Sequence, residues 1–88
     1  MARIIVFHFS PAARVPALSA AQCADVRSRF DEVLKDYPGI VFHGVSVDAQ
    51  GQGICEWEAP NAEVVREIVT KVDGHPPVDG LTVVEQII

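Results

Sequence analysis

The sequence is short of several things at once. It has no CxxC pair, only two cysteines, one tryptophan, one tyrosine and seven basic residues among 88. Without paired cysteine spacing there is no thiolate zinc site, and Cys23 and Cys55 read as small apolar core residues in a reducing compartment. Seven lysines and arginines against twelve acids leave a net charge of −5. Scattered as they are, they form no stripe that could displace counterions from a phosphate backbone, so nucleic acid and anionic membrane are poor partners. No apolar run approaches the ~18 to 20 residues that span a bilayer, and the early run at 4–7 is too short for a secretory core. The expected location is therefore cytoplasmic. A glycine-rich phosphate loop, a GxSxG elbow and an HExxH helix are missing too, so no nucleophile stands out.

What is present is apolar: 49% of residues are hydrophobic and 22% charged, a balance that folds rather than staying disordered. The length suits one domain, residues 1–88. Residues 3–9 are β-branched or aromatic at nearly every position (Ile4, Ile5, Val6, Phe7, Phe9), as in a strand covered on both faces. Ser19 stands three residues before Gln22 in capping-box spacing. Cys23, Val26, Phe30, Val33, Leu34 and Tyr37 then recur at helical intervals until Pro38-Gly39. Residues 40–48 and 53–58 read as strands joined by a tight turn in which Gly51 supplies positive φ. Asn61 caps a second helix whose stripe is Val64, Val65, Ile68, Val69 and Val72, and Gly74 ends it. Residues 81–88 form a last strand.

The order βαββαβ predicts an α+β, ferredoxin-like plait: an antiparallel sheet in the order 4-1-3-2 with both helices on one face. Val41, Val45 and Val47 share one parity and Phe42 the other, so the uncovered face is expected to be greasy. A second copy, sheet against sheet, is the expected cover, which makes a dimeric α/β barrel with a central cavity.

A two-residue turn would pair Asp48 with Gly53, Val45 with Glu56 and His43 with Glu58. Phe42, Gly44, Cys55, Trp57 and Ala59 then face the helices, while His43, Glu56 and Glu58 face the open side. An imidazole and two carboxylates on adjoining strands suit a divalent transition metal such as nickel, copper or zinc, with water in the remaining positions. They equally suit a plain polar contact, or a general base and its orienter. His8, with His75, Asp48 and Asp79, is expected near the hairpin tip, apart from His43, so that only a partner chain could unite His8 with the first cluster. Glutamates on strand three would repel phosphate, which argues against the RNA-binding use of this plait.

The stretch PGIVFHGVSVDAQGQGICEWEAPNAEVVREIV, residues 38–69, resembles a family of small ferredoxin-like proteins that includes actinobacterial nickel-binding members. The sharpest part is CEWEAPNAEVVRE, residues 55–67, and the ending VDGLTVVEQII is also similar. The resemblance implies a homodimer that binds nickel, and Glu58 is the candidate residue that lies inside its motif. The functional expectations are thus a homodimeric metal-binding protein with His43, Glu58, Glu56 and His8 as candidate ligands, a cofactor-free dimeric barrel enzyme acting on a small apolar organic substrate, or a plain interaction module.

Overall fold

In the computed structural model, which describes residues 1–88, the chain runs β1 (Ala2–His8), α1 (Ala20–Leu34), β2 (Val41–Val47), β3 (Gly53–Ala59), α2 (Ala62–Asp73) and β4 (Leu81–Val84). The four strands form one antiparallel sheet in the order β2-β3-β1-β4, the ferredoxin-like α+β arrangement expected from the sequence. Both helix starts are fixed locally. Ser19 Oγ accepts from Gln22 N–H at 3.1 Å while Gln22 Oε1 accepts from Ser19 N–H at 2.9 Å, closing the capping box. Asn61 Oδ1 accepts from Val64 N–H at 3.0 Å, and Gly74 ends α2 in the left-handed region at φ 83°, where a Cβ is unfavourable.

The core lies between the sheet and the helices. Ile4 and Val6 of β1, Phe42 of β2 and Cys55, Trp57 and Ala59 of β3 pack on Phe30 of α1 and Val65, Ile68 and Val69 of α2. Its centre is aromatic: the Phe42 ring lies 4.4 Å from Trp57 and 4.5 Å from Phe30, within the range where stacked and tilted pairs attract. Trp57 Nε1–H, fully buried, donates to Cys55 Sγ at 3.2 Å. No helix is long and apolar enough to cross a membrane.

Three features depart from the sequence expectations. The last strand stops at Val84 rather than continuing to residue 88. Arg3 already pairs with Val84, so β1 has almost nothing left to offer beyond it, and Ile87 and Ile88 stand exposed. Cys23 is exposed rather than buried, because the stripe of α1 is sheltered only from Val26 onward and is centred on Phe30.

The third departure is the hairpin register. Its turn is not a two-residue one. Asp48 N–H donates to Gln52 O and Gly51 N–H to Asp48 O, at 2.9 and 3.0 Å, around residues 49–51. Gly51 sits at φ 79°, the left-handed residue that ends such a three-residue loop. Val47 therefore pairs with Gly53, Val45 with Cys55 and Gly44 with Glu56. That slip turns Val45 and Val47 to the helix side, where they lie half-exposed on the edge strand, and turns Gly44 to the open side. The open face is correspondingly less greasy than expected.

Candidate functional site

The slip in register would also have turned His43 away from the carboxylates, and a β-bulge prevents it. Phe42 pairs with Trp57 and Gly44 with Glu56, so His43 is an extra residue with no partner across the ladder. Below the bulge the pairing has shifted by one, Val41 lies opposite Glu58, and Phe42 keeps its place in the core. Gly44 takes φ 117°, a conformation open to glycine and costly for residues with a Cβ. His43 is thereby aimed at the open face, and its Nε2 lies 3.1 Å from Glu58 Oε2. The contact predicted from a regular hairpin exists, but a bulge makes it.

Glu56 shares that face and points to a different partner. Arg3 Nη2 lies 2.5 Å from Glu56 Oε2, while in the β1–β3 ladder Arg3 stands opposite Glu58. The guanidinium is thus set among both carboxylates, which hold its own proton more tightly, Glu56 by hydrogen bond and charge first and Glu58 by charge at longer range. Arg3, His43, Glu56 and Glu58 together line an open depression of about 380 Å³ with no hydrophobic wall. Arg3 is the residue the sequence reading left out. Its signal was available, because in a sheet ordered 4-1-3-2 the first strand pairs with the third, and Arg3 has the parity of Ile5 and Phe7 rather than of Ile4 and Val6.

His8 does not belong to this cluster. It is opposite Gly53 and shares the parity of Ile4 and Val6, so it faces the helical side of the sheet. Its Nδ1 lies 2.9 Å from Ala13 O. His75 is exposed, with Nδ1 2.9 Å from Pro76 O. The nearby carboxylates serve turns. Asp48 Oδ1 accepts from the amides of Gln50 and Gln52. Asp79 Oδ2 accepts from the amides of Phe9 and Ser10, and hydrogen bonds from Ser10 first, then Phe9, hold that carboxyl below its ordinary range.

In donor chemistry the cluster matches a borderline divalent ion: imidazole nitrogen from His43 and carboxylate oxygen from Glu58. In number it falls short, since no group of three or more such side chains is gathered for a metal within one chain. Glu56, the natural third donor, is engaged by Arg3. The remaining half of the open face is apolar, with Ile5, Phe7 and Ile54 at alternate positions of the paired strands, and Phe7 stacks on Phe9 at 5.9 Å.

No protein-family model matches the chain and no curated protein matches it in sequence. Among solved structures, SCO4226 from Streptomyces coelicolor A3(2) superposes with a TM-score of 0.72 over 99% of this chain and 100% of its own, at 23% identity. At that identity the likeness is one of fold.

Proposed function

We propose that the chain is a small homodimeric binding protein that takes a divalent transition metal, nickel in the first instance, on the open face of its sheet. The observation that carries this reading is the 3.1 Å approach of His43 Nε2 to Glu58 Oε2, both half-exposed on the side away from the helices. One imidazole and one carboxylate make an incomplete donor set. Water and the face of a second copy fill the other positions. A paired sheet also explains why apolar Phe7 and Ile54 share a face with the charged cluster. His43 and Glu58 hold the ion, and Glu56 stands next to them as the second acid.

The test is metal analysis of protein purified without a polyhistidine tag, followed by calorimetric titration of nickel chloride into wild type and His43→Ala. The expected result is a loss of affinity of tenfold or more in the variant, about 1.4 kcal/mol. Equal affinity in the two proteins would discard the site.

The apolar half of the same face favours a second reading, in which the chamber between two sheets holds a small apolar organic molecule and Glu56 or Glu58 acts as base. A thermal-shift series with small aromatic compounds separates the two, since a ligand that binds only the folded state raises its melting temperature.

A further inference from the structure

Arg3 is the one cation in the depression, and its place decides what state the other three side chains are in. It comes from β1, whereas the acids come from β3 and the imidazole from β2. Its register places it opposite Glu58 while its guanidinium closes on Glu56. Glu56 is the more sheltered of the two acids, with its side chain 27% exposed against 48% for Glu58. Two carboxylates at alternate positions of one strand face the same way and repel each other. In the absence of any other positive charge, the guanidinium is what neutralises them. Half the Arg3 side chain is nevertheless in solvent, and an exposed ion pair of this kind holds weakly. The contact is strong enough to choose a resting geometry and weak enough to be exchanged.

We propose that Arg3 is a built-in competitor for the cation site: it occupies Glu56 in the empty protein, and uptake of a divalent ion releases it, so that Glu56 joins His43 and Glu58 around the ion. This rests on the metal-binding reading above and adds to it. The competition sets an affinity threshold. A monovalent ion brings no more charge than the guanidinium it would replace, whereas a divalent ion brings twice as much, so the exchange selects for charge as well as for donor type. It also accounts for the shortage of donors in the single chain, because the third ligand is present but paired.

The experiment compares affinities for zinc and nickel chlorides in wild type, Arg3→Met, Arg3→Lys, Glu56→Gln and the Arg3→Met/Glu56→Gln double variant. Circular dichroism confirms that each folds. Arg3→Met, which keeps the length of the stem and removes the charge, is expected to bind roughly three- to tenfold more tightly, from the lost ion pair and the lost repulsion. Arg3→Lys is expected to lie between it and wild type. Adding Glu56→Gln is expected to abolish the gain. In a zinc titration followed by NMR, the Arg3 side-chain Nε–H signal is expected to move in proportion to occupancy. Arg3→Met binding no more tightly than wild type, or an Arg3 signal that stays still while the site fills, would overturn the competitor role and leave the metal site standing. Failure of every variant, wild type included, to take up either ion would overturn both.

Discussion

The two cysteines show how far one residue's surroundings can separate identical chemistries. Burial pushes the Cys55 thiol up to about 11, only partly offset by the hydrogen bond from Trp57, whereas Cys23 is exposed on the first turns of α1. The thiolate is the reactive form. At pH 8, therefore, one thiol per chain is expected to react with a disulfide reagent in the native protein and a second only after unfolding in guanidinium chloride. Fast reaction of two native thiols would show that Cys55 is not sheltered as described. The sequence alone put both cysteines in the core. It was right for Cys55, whose parity on β3 is that of Trp57. It was wrong for Cys23, because a helical stripe shows which side faces inward and does not show where along the helix the sheet beneath it ends.

At the level of the element, the bulge in β2 is what couples backbone to site. Gly44 sits at φ 117° with no atom near enough to meet an added Cβ, so the cost of a side chain there is conformational rather than steric. Gly44→Ala is expected to destabilise the fold by about 1–3 kcal/mol in denaturant unfolding and to weaken the His43–Glu58 contact, read as a change in the His43 ring chemical shifts by NMR at fixed pH. An unchanged midpoint together with unchanged ring shifts would remove the bulge from this role. Elements whose signals are local were legible in the sequence: Ser19 with Gln22, Asn61 and Gly74 each form contacts within four residues, and each does what its spacing implied. The hairpin register was not legible. It depends on Asp48 binding two amides of its own loop, which lengthens the turn by one residue, and on an unpaired residue further down the strand that returns the pairing to the phase the core demands. The two irregularities oppose each other, so a wrong turn length still led to the correct His43–Glu58 contact and to wrong faces for Gly44, Val45 and Val47.

For the whole molecule the main quantity is surface. A folded monomer of 9.5 kDa should expose about 5,000 Å², and this chain exposes 5546 Å², an excess of roughly a tenth. Only 12 of 88 residues are buried, which leaves a small core to hold the fold by itself. A second copy is expected on the sheet face rather than on a sheet edge. The β2 edge is interrupted by the bulge and covered at Phe42, whose carbonyl accepts from Arg27 at 3.2 Å. The β4 edge is only four residues long. Both features discourage strand-to-strand pairing. Sedimentation is expected to give twice the chain mass for wild type and the single-chain mass for Phe7→Glu with its circular dichroism unchanged. A wild type that sediments as one chain at micromolar concentration would sink the dimer. The open face was legible in outline from the order of elements, and the parity of Arg3 was enough to place it there, while the choice of its guanidinium for Glu56 over Glu58, the residue opposite it, was not legible.

Taking His43 out of the chain would bring Phe42 and Gly44 together as neighbours opposite Trp57 and Glu56, which are neighbours already. The ladder would then run without interruption, and no inward-facing side chain would change sides. The histidine is thus a guest in the scaffold, gained or lost with a single codon. Descendants of one ancestor could keep this architecture intact while differing in whether they carry an imidazole there at all.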